Sequence, residues 1–84
     1  MQITINVESL YKETEDSTAK LVDLDKYCKK ALQIAGEGNE VILTGQGPIW
    51  LYLKLAHSLH GKALKLIYRS PVTGDITIFD HSPF

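Results

Sequence analysis

Hydrophobic and polar residues alternate at the start of the chain, where Ile3, Ile5 and Val7 are each followed by a polar residue. A period of two is typical of a strand with one buried face. The period changes after residue 23, where apolar residues recur every three or four positions: Leu24, Tyr27, Cys28, Ala31, Leu32 and Ala35. This spacing predicts an amphipathic helix, which Gly36 ends.

The second half of the chain repeats the alternation of strand and helix. The continuous apolar run 41–43 predicts a buried strand, and a helix follows from Pro48 to about His60. Strands are expected over 63–69 and 75–80, with turn residues between them. The order β-α-β-α-β-β predicts one α/β or α+β domain over residues 1–84, with two helices and a mixed sheet of about four strands. The two strands that flank the second helix should be parallel.

Composition excludes several classes of protein. The chain has 84 residues and a net charge of −1, so it lacks the basic surface of a protein that binds duplex DNA. Cys28 is the single cysteine and lies on the apolar stripe of the first helix, which indicates packing and excludes an intrachain disulfide. No apolar run reaches the roughly 20 residues that a membrane span needs. These features predict a cytoplasmic protein that does not bind membranes.

Residues 9–20 do not follow either period and include the acidic run 13–16. A solvated loop is the simpler interpretation of such a run, and a recognition tail is the alternative. A long loop in a small domain can also act as a lid.

The stretch Thr44–Trp50 is typical of an anion site. It contains Gly45 and Gly47, which permit a sharp turn and close approach of a ligand, and Pro48, which suits the first position of a helix. A strand, a tight loop and a helix N-terminus in this order bind phosphate in many proteins. No Gly-Lys-Ser/Thr follows, which argues against an ordinary NTPase. Trp50 can pack in the core or stack on a base.

The predicted topology divides the polar residues between two ends of the sheet. Gly45–Gly47 lie at the carboxyl ends of the parallel strands together with Tyr68 and Arg69, and Asp75 begins the returning strand there. The other end carries the remaining candidates: His57, His60, Asp80 and His81. Twelve residues from Pro48 to His60 span roughly 18 Å of helix at ~1.5 Å per residue. A site that uses both ends on one small substrate must therefore form between subunits.

The histidines allow more than one interpretation. The spacing of His57 and His60 is compatible with metal binding but is common by chance. His60 also continues the spacing of the apolar positions of its helix, so it can lie at the edge of the core. A charged histidine is favourable near the C-terminus of a helix. His81 can be a terminal residue without a role.

Several segments taken together resemble a known family. They are Gly45-Gln46-Gly47-Pro48-Ile49-Trp50-Leu51, Leu55-Ala56-His57, His60, Tyr68 beside an arginine, and His81 after a strand. Over residues 41–82 this set resembles the small CRISPR-associated ring nucleases of type III systems. That family was first described as a manganese-dependent exoribonuclease of RNA ends, and it prefers cyclic tetra-adenylate. Its dimers sandwich the cyclic nucleotide, and opening the ring switches off the signal that activates ancillary effector nucleases.

The resemblance implies roles for individual residues. It implies catalytic roles for His60, Arg69, Asp75 and His81. The ligand-binding residues that it implies are a second set: Gly45, Gln46, Gly47, Pro48, Trp50 and Tyr68. It further implies manganese as a cofactor, a cyclic oligoadenylate ligand, and a homodimer that joins another dimer around the ligand in a tetramer or a higher assembly. His57, His60, Asp80 and His81 are the candidate metal ligands.

The chain departs from the family pattern at two places. Where the family has a Tyr-Asp-Pro-Arg-like segment, this chain reads Tyr68-Arg69-Ser70-Pro71. Either Asp75 supplies the carboxylate from across the turn, or Arg69 acts without it. Gln46 stands where the family's loop usually bears arginine, which removes one phosphate contact. Two alternatives to an enzyme stay open: a sponge that binds the cyclic nucleotide without cleaving it, and an interaction module whose glycine loop is only a turn.

Overall fold

The computed structural model describes residues 1–12 and 19–82, so the acidic run 13–16 lies outside the described residues. The strands are β1 (Gln2–Asn6), β2 (Glu40–Thr44), β3 (Lys65–Ser70) and β4 (Gly74–Asp80), and the helices are α1 (Leu24–Ala35) and α2 (Ile49–Leu59). Short 3-10 turns cover Val7–Leu10 and Leu21–Asp23. The predicted order β-α-β-α-β-β is confirmed.

The four strands form one mixed sheet in the spatial order β1-β2-β3-β4. The first three strands are parallel, as a strand-helix-strand crossover requires, and β4 returns antiparallel to β3. Arg69 near the end of β3 therefore stands directly opposite Asp75 near the start of β4. The register of this pair shifts between Leu66 and Ile67, where the ladder is irregular.

Both helices pack against the same core. Each helix buries residues three or four positions apart, as the predicted stripes require: Tyr27, Ala31 and Ala35 from α1, and Leu51, Leu55 and Leu59 from α2. They meet one face of the sheet through Ile5, Val41, Leu43 and Leu66. All three residues of the run 41–43 are buried, and strand alternation places Ile42 on the face away from the helices.

Two boundaries differ from the prediction. Val7 continues the alternation of β1 in the sequence, but it begins the 3-10 turn, where Asn6 caps the first free N–H by accepting a hydrogen bond from Glu8 N at 3.0 Å. Pro48 is the residue before α2 rather than its first residue, since its ψ of 151° is extended. Its carbonyl accepts the Leu51 and Tyr52 N–H groups and so starts the helix.

A set of large apolar side chains is left exposed beside α2. Ile49 and Leu53 on the helix are 78% and 66% exposed, and Ile76 and Ile78 on β4 are 44% and 49% exposed. We call these four residues the apolar face. The strand β4 lies at the edge of the sheet, and in the described chain Phe79 is its one residue that packs against the core.

Within the described parts of the chain, neither helix has the length and apolar composition that crossing a bilayer requires.

Candidate functional site

A groove of about 830 Å³ opens at the carboxyl ends of β2 and β3. The loop Gly45–Gly47 and the residues Tyr68, Arg69 and Ser70 give it a polar rim. Its remaining wall is largely apolar: Leu43, Ile49, Tyr52, Leu53, Ala56, Leu66, Pro71 and Ile78. An apolar pocket with a few convergent polar groups is the usual form of a ligand site.

The two loop glycines are required by contacts within the chain. Gly45 has φ of 96°, and a Cβ built on it would overlap the Asn6 Oδ1 atom. A Cβ on Gly47 would come within 2.8 Å of Val7 Cγ1. The glycines thus let the loop lie directly on the residues that follow β1, which the sequence pattern alone did not indicate.

Two tyrosine hydroxyls hold this loop. The Tyr52 hydroxyl donates a hydrogen bond to the Gly45 carbonyl, and the Tyr11 hydroxyl donates to the Gln46 carbonyl at 2.7 Å. Burial, with smaller contributions from Tyr68 and Tyr11, raises the pKa of Tyr52 to about 12. Burial also raises the pKa of Tyr11. Both hydroxyls therefore keep their protons at neutral pH and stay hydrogen-bond donors.

Arg69 is held at the rim by a carboxylate on the next strand. Its Nε donates to Asp75 Oδ1 at 2.8 Å and its Nη2 donates to Asp75 Oδ2 at 3.1 Å. This hydrogen-bonded pairing raises the pKa of Arg69 and lowers that of Asp75, although both side chains are about half exposed. The expected carboxylate thus stands next to Arg69 from across the turn, and the fork geometry fixes the guanidinium plane.

Three aromatic rings meet at the opposite end of β3. His60 follows α2, and His81 follows β4, where its N–H donates to the Leu64 carbonyl at 2.8 Å. The Nε2 atoms of the two histidines are 3.1 Å apart, and the Phe79 ring lies 5.1 Å from the His60 ring and 4.9 Å from the His81 ring. In such a contact one imidazole nitrogen donates and the other accepts.

The other two candidates of this end are not part of the ring contact. The His57 side chain is exposed and makes no hydrogen bond or ring contact in the described ranges 1–12 and 19–82. Asp80 Oδ1 accepts from Ser82 N at 2.9 Å. Hydrogen bonds with Ser82, followed by the charges of Lys65 and His81, lower the pKa of Asp80.

The histidine end does not assemble a full metal site from one subunit. Across the residues that the structure describes, no three His, Cys, Asp or Glu side chains come together in metal-binding geometry. His60 and His81 alone supply two nitrogens, whereas manganese favours several oxygen ligands. These residues do not fit a resident manganese ion.

Two residues expected to bind the ligand lie away from the groove wall. Trp50 is half-buried and packs against the core cluster, so its packing interpretation fits the structure better than base stacking. Pro48 shapes the start of α2 and does not line the groove either.

Sequence reasoning missed three residues at these two ends: Tyr11, Tyr52 and Phe79. Tyr11 stands 35 residues away from the carbonyl that it holds. No local pattern indicates the Tyr52 contact with the loop, or that the Phe79 ring contacts both histidines.

Comparison with known proteins identifies the family. The model of a family described as CRISPR-associated protein (Cas_csx3) matches residues 15–84, most of the chain. The chain belongs to this CRISPR-associated family. The match includes both the glycine loop and the two histidines that meet at 3.1 Å. The expected CRISPR association is thereby confirmed. No curated protein and no solved structure matches the chain.

Proposed function

We propose that this protein is a ring nuclease that cleaves a cyclic oligoadenylate, cyclic tetra-adenylate above all, and so switches off type III CRISPR signalling. The observation that carries the proposal is the separation of two groups of candidate residues, which we call half-sites, at opposite ends of one strand in a small CRISPR-associated domain. Gly45–Gly47 and Arg69 stand at one end of β3, and the contact of His60 with His81 stands at the other. Each end supplies part of the chemistry of phosphodiester cleavage.

The loop end binds phosphate in this proposal. Gly45–Gly47 and Arg69 line the same groove, where the N–H groups of the loop and the guanidinium offer donors to phosphate oxygens in this proposal. Asp75 engages Nε and Nη2, so the Nη1 hydrogens remain for the ligand. Fixed donors of this kind stabilise the negative charge that develops on a phosphorane. Tyr68 lines the adjoining wall, against which a base can lie.

The histidine end moves protons. His60 takes the proton of a ribose 2′-hydroxyl, the 2′-oxygen forms a bond to phosphorus, and the bond from phosphorus to the 5′-oxygen breaks. The protonated His60 passes this proton, through water, to the leaving 5′-oxygen, and a 2′,3′-cyclic phosphate remains. An imidazole suits this task near neutral pH. His81, with its Nε2 at 3.1 Å, orients the His60 ring.

No step in this scheme passes through a metal. The family resemblance implies manganese, but the described residues of one subunit offer only a pair of imidazoles for it. The 2′-hydroxyl pathway needs in-line geometry, charge stabilisation and proton transfer, all of which the side chains above supply. Cleavage in the presence of EDTA, compared with cleavage in manganese, measures any contribution of the ion.

A second copy of the chain is the partner that the proposal requires. The two half-sites lie about 16 Å apart along the eleven residues of α2, so one phosphodiester cannot contact both within a subunit. The apolar face of Ile49, Leu53, Ile76 and Ile78 is a large exposed patch for so small a domain. We propose a homodimer and, because Ile49, Leu53 and Ile78 also line the groove, that the facing dimer covers this face together with the bound ligand.

The activity itself is tested by incubating the purified protein with cyclic oligoadenylates of different ring sizes and separating the products by chromatography. Linear products from cyclic tetra-adenylate are expected. Tight binding without any product would instead indicate a sponge that sequesters the nucleotide. If the protein neither binds nor cleaves the nucleotide, the interaction module is the remaining alternative.

Mixing two inactive variants tests the shared site. His60→Ala and Arg69→Ala are each expected to be inactive alone. If each site takes its loop end from one subunit and its histidine end from another, random mixing leaves both ends intact at about a quarter of the sites. Adding Ile76→Asp to both proteins puts a charge into the one residue of the apolar face that does not line the groove, and should abolish the rescue. If the mixture stays inactive while both variants bind ligand, the half-sites do not combine between subunits.

A further inference from the structure

The glycine loop has its carbonyl groups turned into the protein. Tyr52 on α2 donates to the carbonyl of Gly45, and Tyr11, which follows the Val7–Leu10 turn, donates to the carbonyl of Gln46. Two consecutive peptide groups are therefore held by side chains from different parts of the fold. Such contacts fix the rotation of each peptide plane, which glycines would otherwise leave free.

Because the peptide bond is planar, the direction of each carbonyl also determines the direction of the N–H group in the same peptide. In a trans peptide the N–H group points away from the carbonyl of the same plane, and the described chain contains no cis bond. The N–H groups of Gln46 and Gly47 therefore point away from the two tyrosine hydroxyls. Neither N–H donates a hydrogen bond within the ranges 1–12 and 19–82. The result is a pair of adjacent donors at the rim of the groove, and adjacent N–H groups form concave anion sites.

The rings that carry these hydroxyls are themselves fixed. The Tyr52 ring meets Tyr68 edge-on at 5.2 Å, and Tyr11 is 8% exposed and meets Tyr27 edge-on at 6.4 Å. Removal of either hydroxyl would leave the ring packing in place and release one carbonyl. The hydrogen bond can therefore be separated experimentally from the packing.

We propose that Tyr11 and Tyr52 are positioning residues, which aim the N–H groups of Gln46 and Gly47 at a phosphate oxygen by holding the carbonyls of Gly45 and Gln46. This inference rests on the proposed function, because it assigns the loop end to phosphate binding. It extends that function to the amino-terminal part of the chain, since Tyr11 contributes to a site otherwise built from residues after β2.

The experiment compares Tyr11→Phe, Tyr52→Phe and a control, Tyr27→Phe. The control removes a tyrosine hydroxyl that accepts a hydrogen bond from Lys20 N at 3.0 Å and does not hold a loop carbonyl. Nitrogen-15 labelled proteins are titrated with cyclic tetra-adenylate and, separately, with inorganic pyrophosphate, and the amide resonances of Gln46 and Gly47 are followed. Thermal unfolding measures stability alongside, so that a general loss of structure is recognised.

We expect the Gln46 and Gly47 amides of the wild type to shift on titration. In Tyr11→Phe and Tyr52→Phe the shifts should shrink and the affinity should fall about tenfold, as for the loss of one charge-assisted hydrogen bond. Tyr27→Phe should bind like the wild type. Equal affinities and equal shifts in all proteins would overturn the inference, as would wild-type binding that leaves the two amides unmoved.

The two probes separate this inference from the proposed function. If pyrophosphate moves the amides but cyclic tetra-adenylate does not bind, the positioning role stands and the ring-nuclease proposal fails. If cyclic tetra-adenylate is bound and cleaved while the two amides stay unmoved by both probes, the proposed function stands and the positioning role fails. If neither probe binds, both fail.

Discussion

The two ends of β3 are built from different kinds of contact. At the loop end the backbone itself is held: glycines lie against Asn6 and Val7, and tyrosine hydroxyls bond two carbonyls. At the histidine end the contacts are between side chains, with Phe79 against both imidazoles, which also contact each other. A fixed backbone suits binding, since donors must stay in place. We therefore propose that the first end binds the ligand and that the second transfers protons.

The largest expected effect lies at the histidine end. His60→Ala should reduce cleavage of cyclic tetra-adenylate by at least about 100-fold, as for loss of a general base, while binding affinity changes little. His57→Ala is the matched control, because His57 lies on the same helix and its ring makes no contact with the pair in the described chain. Chromatography measures product, and calorimetry measures binding. Undiminished cleavage by His60→Ala would contradict the proposal that His60 is the general base and that the histidine end transfers protons.

At the loop end, a change to the backbone should matter more than a change to a side chain. Gly45→Ala places a Cβ against Asn6 Oδ1 at a φ of 96°, so we expect a loss of about 1–3 kcal/mol in the free energy of unfolding, together with weaker binding. Gly61→Ala is the control, since no atom lies within 4 Å of its added Cβ. Urea unfolding compares the two variants. Equal midpoints would show that the loop backbone is not strictly fixed.

The smallest effect is expected from the rim charge pair. Asp75→Asn should weaken binding of cyclic tetra-adenylate about threefold to tenfold, because Arg69 loses the bidentate partner that orients it. Glu37→Gln removes another exposed pair, Glu37–Lys62 at 2.9 Å, and should not change affinity. Neither variant should shift the unfolding midpoint, since exposed pairs stabilise little.

This charge pair also predicts a pH dependence. Arg69 lowers the pKa of Asp75, so the carboxylate keeps its charge and its contribution is complete above the ordinary value of 3.8. The contribution is lost only as the pH falls through the lowered pKa. The affinity ratio between wild type and Asp75→Asn should therefore be constant above that ordinary value and approach one on further acidification. A ratio that already changes near neutral pH would mean that another group orients Arg69.

The secondary structure was largely predictable because its signals are local. The helical period of α1 and the apolar run of β2 each follow from a dozen residues or fewer, and the parallel strands follow from the handedness of crossovers. The errors are also local, because Val7 and Pro48 each fit two neighbouring structures by pattern. The capping hydrogen bond of Asn6 places Val7 in the 3-10 turn, and the extended ψ of Pro48 places it before α2.

The site was predictable only in outline. Topology placed Arg69 and Asp75 at the loop end and His60 and His81 at the other, because chain direction determines which strand termini are neighbours. It did not predict the tyrosine contacts with the loop, since Tyr11 and Gln46 are separated by 35 residues and share no periodic signal. It also did not exclude His57 from the ring contact, because a spacing of three permits contact without requiring it.

The sequence by itself determined the order of elements, the parallel core, the glycine loop and the family resemblance, because each depends on residue type and spacing along the chain. Only the tertiary structure decided which side chains touch: the two tyrosines on loop carbonyls, the carboxylate on Arg69, and Phe79 against both imidazoles. Those contacts join distant segments, and their geometry follows from how the helices and sheet pack together rather than from any local preference.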